Sequence, residues 1–152
     1  MDGVQTRTEL ITELFSVVGR FRRQLRRTSR GFDTAGVTEA QAELLRLVGR
    51  RPGISVREAA TELGLVANTA STLVSKLTSD GLLIRAVDED DRRVGRLRLT
   101  EPAQRLADAS RAERRAALAG VLAELDGHQV DALVGGLKVM SEMTRMLRER
   151  EA

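Results

Sequence analysis

The sequence predicts a mainly α-helical fold with one small β-hairpin, on three observations. Apolar residues recur at three- and four-residue steps through most of the chain, as on one face of a helix. Residues 82–87 and 96–100 instead have the pattern of short strands, the second alternating charged and apolar side chains. Two capping boxes, Thr38 to Gln41 and Ser55 to Glu58, mark the starts of two further helices.

A long first helix is predicted over residues 7–30. Its apolar face comprises Leu10, Ile11, Leu14, Phe15, Val18, Phe21 and Leu25. The second half of this helix carries six arginines and no acidic residue. This arginine run is either an edge that attracts phosphate or ligand, or a solvated helix end favoured by the helix dipole.

Three short helices follow, predicted over about residues 38–49, 55–64 and 67–80. The last two, joined by a glycine-containing turn, form a helix-turn-helix. The hairpin of residues 82–100 comes directly after it and is therefore a wing. We predict a winged helix-turn-helix lobe over residues 37–100.

Two long helices are predicted after the wing, over residues 102–150. Pro102 occupies the first turn of one, and Asp126-Gly127 restarts the chain before the other. The second carries an apolar stripe of Val130, Leu133, Val134, Leu137, Met140, Met143, Met146 and Leu147. These helices and the one at 7–30 carry more apolar side chains than a small domain could cover alone. They are therefore predicted to form a dimerisation layer of a homodimer.

The composition excludes several classes of protein. The 152 residues carry 25 Lys and Arg against 22 Asp and Glu, and no Cys, Trp or Tyr. The sequence pI of about 10.4 reflects only this small excess of +3. The excess persists to high pH because, without Tyr and Cys, almost no side chain loses a proton between the ordinary pKa of histidine and that of lysine. No apolar run approaches the roughly 18–20 residues of a membrane span, and the charged N-terminus excludes a secretory signal. We expect a soluble, cytoplasmic protein.

No catalytic or metal-binding set is visible. With a single histidine, His128, no cysteine and no spaced pair of carboxylates, the sequence predicts neither an enzyme nor a cofactor. The acidic run of residues 88–91 has carboxylates suited to Mg²⁺ or Ca²⁺. It lacks the glycine and the bidentate glutamate of a calcium loop, and two arginines follow at once.

The segment 63–83 (LGLVANTASTLVSKLTSDGLL), followed by Asp91-Arg92-Arg93 and Leu97-Arg98-Leu99-Thr100, resembles the MarR family of bacterial transcriptional regulators. The resemblance covers the whole chain. It implies a homodimer with interlocking terminal helices that presents two winged helices to a palindromic operator in double-stranded DNA. It also implies a response to small, often phenolic or otherwise lipophilic anions.

The chain departs from the family pattern at three places. Position 66, where the family usually has a capping Ser or Thr, is Val, and position 72, often basic, is Thr. Glu101-Pro102-Ala103 stands where Glu-Ala-Gly is common. The absence of cysteine also excludes the peroxide-sensing branch, which needs a reactive thiol.

The predicted DNA contacts fall on the helix of residues 67–80. Asparagine can pair with adenine and threonine methyl groups can touch thymine in the major groove. The alternative is an ordinary solvated helix face. The candidates on this helix are Ala67, Asn68, Thr69, Ser71, Thr72, Ser75 and Lys76, and those before it are Thr38, Arg50 and Arg51, the two arginines for phosphate.

The wing adds a second predicted contact. Arg93 is suited to the minor groove, where narrow A·T tracts concentrate negative potential. Asp91 is predicted to orient it through a bidentate pair, and Arg92 to face away and touch at most a phosphate. The alternative is a solvated loop in which the charges balance.

These features together predict a homodimeric repressor that a small organic ligand releases from its operator. The ligand would lodge between the dimer layer and the winged lobe. Phe15, Phe21 and Phe32 are the only aromatic side chains available to it, which fits a pocket beside the first helix. Two alternatives remain open: a constitutive or architectural winged-helix DNA binder, and a winged-helix module that binds proteins.

Overall fold

The computed structural model describes residues 6–32 and 35–151 and confirms the predicted fold class. The described residues contain six helices and one antiparallel hairpin. In chain order the elements are α1 (Arg7–Arg27), α2 (Glu39–Arg50), α3 (Val56–Leu63), α4 (Ala67–Ser79), β1 (Leu83–Val87), β2 (Gly95–Leu99), α5 (Glu101–Ala123) and α6 (Gly127–Glu151). The predicted boundaries hold to within one to three residues. The chain forms two compact units, residues 1–114 and 115–152, and α5 runs from the first into the second.

Capping residues fix the helix starts. The hydroxyls of Thr38 and Ser55 accept hydrogen bonds from the backbone N–H groups of Gln41 and Glu58, which confirms both predicted capping boxes. Thr6 caps α1 in the same way. Gly64 ends α3 in the left-handed conformation, at φ 66°, as predicted. α1 ends at Arg27, three residues before the predicted end.

The core of the first unit lies between the helix-turn-helix and the wing. It joins α2, α3, α4 and the hairpin to Phe32 and one residue of α5. Its members are Phe32, Ala42, Leu44, Leu45, Leu47, Val48, Ile54, Ala59, Val74, Leu77, Leu83, Leu97 and Ala107. α5 is held against the end of α1 by the buried hydroxyls of Ser29 and Ser110, which lie 2.6 Å apart.

The hairpin has a fixed register that continues into the chain before α3. Leu83 pairs with Leu99, Arg85 with Leu97 and Val87 with Gly95. On its other side β2 bonds to residues 53–55: Gly53 donates to the carbonyl of Leu97 at 2.8 Å, and Leu97 donates to that of Ile54 at 2.9 Å. The base of the wing is therefore tied to the turn between α2 and α3.

The second unit contains the end of α5 and all of α6, and none of its described residues is buried. Asp126 and Gln129 form a capping box at the start of α6, with bonds of 2.7 and 3.1 Å. The predicted apolar stripe of α6 is exposed, from 37% at Val130 to 60% at Leu147. This face has no cover within the described chain.

Candidate DNA-binding surface and arginine cavity

α4 presents the polar face that the sequence predicts. Its apolar residues Ala70, Val74 and Leu77 are buried, and they hold the helix against the core. The candidate contacts are all exposed: Ala67, Asn68, Thr69, Ser71, Thr72, Ser75 and Lys76.

Two of these side chains already have partners within α4. The hydroxyl of Thr72 donates to the carbonyl of Asn68 at 2.9 Å, so it remains free to accept a hydrogen bond. Lys76 donates to Asp80 at 3.1 Å in an exposed pair, which contributes little and leaves the ammonium accessible. The face therefore offers short donors and acceptors with one cation at its far end.

The start of α4 differs from the other helix starts of the first unit. Val66 occupies the N-cap position with φ −71° and ψ 153°, and no side chain caps the helix there. Val66 is 71% exposed. The departure from the family pattern is thus a real loss of a cap, although the backbone has the conformation that a capping residue needs.

The wing tip is organised by two aspartates that accept backbone hydrogen bonds. Asp88 accepts from the N–H of Asp90 at 2.8 Å, and Asp91 accepts from the N–H of Arg93 at 3.0 Å. The carboxylate of Asp88 also accepts from Arg96, and this bond, followed by the backbone bonds, lowers its pKa. Two of the four acidic residues at 88–91 thus stabilise the turn of the wing loop by accepting backbone hydrogen bonds. Within the described ranges, no three His, Asp or Glu side chains converge as a metal site requires.

The predicted bidentate pair between Asp91 and Arg93 is wrong in detail. A single contact of 3.6 Å joins Nε of Arg93 to Oδ1 of Asp91, and the Arg93 side chain is 94% exposed. Asp91 therefore fixes the backbone of Arg93 rather than its guanidinium. Arg92 is also exposed, and it forms no ion pair with any residue that the structure describes.

A cleft of about 780 Å³ separates the wing from α3 and the start of α4. Asp91, Arg93, Val94 and Gly95 form its wing side. Ser71 reaches it from α4. Arg57 of α3 and Arg85 of β1 also line it, and neither is among the predicted DNA contacts. The signal that could have found Arg85 is strand alternation, which puts it on the same face as Leu83.

Thr38, Arg50 and Arg51, the other DNA candidates, lie apart from this cleft. Thr38 uses its hydroxyl as the cap of α2. Arg51 is exposed at the end of α2. The pKa of the Glu58 carboxyl is lowered mainly because it accepts a hydrogen bond from the backbone N–H of Ser55, and the charge of Arg51 contributes a smaller part. Arg50 lines a different cavity.

This second cavity, of about 260 Å³, is rich in arginine. Its charged lining residues are Arg22, Arg26, Glu39, Glu43, Arg46, Arg50 and Arg114, which come from α1, α2 and α5. We call it the arginine cavity. Part of the arginine run at the end of α1 thus faces inwards. The two glutamates pair with arginines: Glu43 with Arg22, and Glu39 with Arg46 at 3.2 Å and Arg26 at 3.7 Å.

Arg114 has no such partner. Its Nε and Nη2 atoms, and Nε of Arg46, are buried without a hydrogen-bond acceptor in the described chain. Burial, and then the nearby Arg46, lower the pKa of Arg114. Buried donors that lack an acceptor cost free energy, so these atoms require an acceptor from outside the described chain, such as water or an anionic group. Sequence alone gave no signal for Arg114, because its role depends on how α5 packs.

The three phenylalanines do not form one pocket wall within the chain. Phe32 is 2% exposed and belongs to the core, where the Arg46 guanidinium lies 5.5 Å above its ring. Phe15 and Phe21, on α1, are 78% and 56% exposed. Their apolar surface is free for another partner.

Comparison with known proteins identifies the fold and a family match over part of the chain. Residues 35–94 match the model of the MarR family. The chain superposes on FabT of Streptococcus pneumoniae, solved in complex with DNA, with a TM-score of 0.81 and 18% identity over 93% of this chain and 99% of that one. It superposes on a MarR transcriptional regulator of Methanosarcina mazei Go1 with a TM-score of 0.72 and 22% identity over 91% of this chain and 99% of that one.

A third similar structure was solved with a ligand bound. PcaV of Streptomyces coelicolor, solved with its natural ligand, superposes with a TM-score of 0.58 and 22% identity over 83% of this chain and 89% of that one. A search of curated protein sequences found no match. The chain therefore has the same winged-helix fold as these regulators. No helix in the described ranges is long and apolar enough to cross a membrane.

Proposed function

We propose that this protein, which belongs to the MarR family through residues 35–94, is a homodimeric repressor released from a palindromic operator by a small organic anion. The DNA-binding part of this proposal rests on one observation: the polar face of α4 and the wing tip are both exposed. The polar face of α4 suits the major groove, and Arg93 at the wing tip suits the minor groove. The DNA-bound structure of FabT, which has the same fold, supports this role.

The exposed apolar face of α6 supports the homodimer. Leu137 is 54% exposed and Val134 46%. The occupant we assign to this face is a second copy of the chain. A two-fold dimer would present its recognition helices about 34–36 Å apart, one turn of B-DNA, and would therefore bind a palindrome.

The arginine cavity supports ligand control by an anion. Its unpartnered Arg114 donors match the planar oxygen pair of a carboxylate. An anion seated there would contact α1, α2 and α5 together. It lowers DNA affinity if it binds the free dimer more tightly than the DNA-bound dimer.

The first experiment is selection of bound sites from random DNA, with the mass of the protein measured in solution. We expect an inverted repeat with half-sites one helical turn apart and a dimer at micromolar concentration. Leu137→Glu should yield a monomer, whereas His128→Glu, which adds the same charge to the start of α6, should not. Unrelated, non-symmetric sites would favour an architectural binder, and no enrichment would favour a protein-interaction module.

Ligand control is tested separately with benzoate and octanoate as probes. Titrating either anion should release the selected operator from the wild-type dimer. Arg114→Met should abolish the release, and Arg111→Met, which removes an exposed arginine from the same helix, should not. If Arg114→Met responds like the wild type, the arginine cavity is not the ligand site.

A further inference from the structure

Arg85 occupies an unusual position in the wing. Directly paired residues of an antiparallel hairpin share a face, so Arg85 lies on the same face as Leu83 and Leu97. Those two leucines are buried in the core. Arg85 is one step further from the core, exposed, and borders the cleft between the wing and α3.

The guanidinium of Arg85 lies across the backbone of Gly95. A Cβ atom at position 95 would be 2.4 Å from Nε of Arg85, 3.1 Å from its Cζ and 3.2 Å from its Nη2. Gly95 does not have a positive φ, unlike Gly36, Gly53, Gly64 and Gly81. The backbone conformation of the strand therefore does not require glycine at position 95. Glycine is required there because the Arg85 side chain lies where a Cβ atom would be.

Arg57 lines the same cleft from α3. Neither Arg57 nor Arg85 forms an ion pair with another residue of the described ranges. With Arg93 they bring three guanidinium groups to the cleft, against the single carboxylate of Asp91. Cations that outnumber the acidic groups lining a cleft make it suited to an anionic ligand.

We propose that this cleft seats the DNA backbone between the two grooves, with Arg85 as a phosphate-binding residue and Gly95 as its positioning residue. The proposal rests on the proposed DNA-binding function. If α4 occupies the major groove and the wing occupies the adjacent minor groove, the DNA strand that separates these two grooves must pass between α4 and the wing, along the cleft. The planar guanidinium of Arg85 matches two phosphate oxygens, and Gly95 lets this group lie flat against strand β2.

The test is a double-mutant cycle on the selected operator duplex. Arg85→Ala should weaken binding about tenfold at 100 mM salt and lower the slope of log K against log salt by about two, because the proposed dimer loses one phosphate contact from each subunit. Gly95→Ala should weaken binding severalfold when Arg85 is present and have no further effect when Arg85 is already alanine. The thermal unfolding temperature of the Gly95→Ala variant should equal that of the wild type, because only the flexible end of Arg85 has to move.

Arg98→Ala is the matched control, since it removes an exposed cation from the opposite face of the same hairpin. It should change the affinity less than twofold. Arg85→Ala with wild-type affinity would overturn the phosphate role. An equal effect of Gly95→Ala with and without Arg85 would overturn the positioning role. In either case the proposed function survives if the wild type binds the operator and Arg93→Ala weakens it; if the wild type binds no DNA, both fall.

Discussion

Nε of Arg96 donates a 2.8 Å hydrogen bond to Oδ2 of Asp88, where the loop of the wing begins. Nη1 of the same arginine donates to the carbonyl of Gly53 at 3.3 Å and lies 3.8 Å from the Glu58 carboxylate. Glu58 in turn belongs to the capping box of α3. One side chain therefore connects the wing to the turn before α3 and to its first turn, and fixes the angle between wing and helix-turn-helix.

Replacing Arg96 should weaken DNA binding although Arg96 does not line the cleft. Arg96→Ala removes all three contacts. Arg96→Lys keeps the charge, but a single ammonium cannot reproduce the arginine fork, so its affinity should also fall severalfold. Fluorescence anisotropy with the operator measures this, and Arg98→Lys is the control that should bind normally. Full affinity in Arg96→Lys would mean that only the charge matters.

The bond from Arg96 also predicts how stability responds to acid. It lowers the pKa of Asp88, so the ionised carboxylate stabilises the folded state. This contribution is complete above the unfolded pKa of about 3.9 and is lost as the pH falls through the lower folded value. The stability difference between wild type and Asp88→Asn should therefore be constant near neutrality and shrink below about pH 4.

Urea unfolding at a series of pH values measures that difference. Asp90→Asn is a suitable control, because the Asp90 carboxylate accepts no hydrogen bond from the described residues. It removes the same charge from the wing without removing a contact of Arg96. A difference for Asp88→Asn that is unchanged down to pH 2 would contradict the assigned cause.

Asp91 should act on DNA binding through the backbone of the wing tip. Its carboxylate accepts from the N–H of Arg93 at 3.0 Å, whereas its contact with the guanidinium is a single one of 3.6 Å. Asp91→Asn keeps an acceptor and removes a negative charge, so it should bind DNA at least as tightly as the wild type. Asp91→Ala loses the acceptor and should bind more weakly. Gel-shift titration ranks the two, and a tighter Asp91→Ala complex would show that only charge acts.

Local signals predicted most of the fold, because each depends on neighbours within a few residues. The capping boxes at Thr38 and Ser55, the glycine stop at 64 and the hairpin are all of this kind. The same pattern at Asp126 and Gln129 was not recognised, although Asp-x-x-Gln satisfies the same rule.

The parts of the site that sequence did not predict depend on tertiary packing. Arg85 enters the cleft only because the register with β2 sets its face, and Arg114 loses its partners only because α5 packs beside α1 and α2. The place of Arg50 before the helix-turn-helix predicts a phosphate contact. The phase of α2 also makes this exposed arginine part of the lining of the arginine cavity. Position along the chain is a poor guide where a helix can present a residue to either side.

The start of α4 leads to a prediction about stability. Thr6 and Thr38 cap their helices with a hydroxyl that accepts from the third N–H of the helix, and Val66 has a similar extended backbone but no hydroxyl. Val66→Thr adds the hydroxyl without changing the shape of the side chain. We expect the free energy of unfolding to rise by about 1 kcal/mol.

Val66→Ala separates the cap from the loss of an apolar side chain. Val66 is 71% exposed, so shortening it should change stability little. Chemical denaturation of the three proteins at one fixed concentration makes the comparison, because the proposed dimerisation would couple stability to concentration. If the threonine variant is no more stable than the alanine variant, the free N–H groups of α4 are already satisfied by water. In that case the missing cap costs the fold nothing.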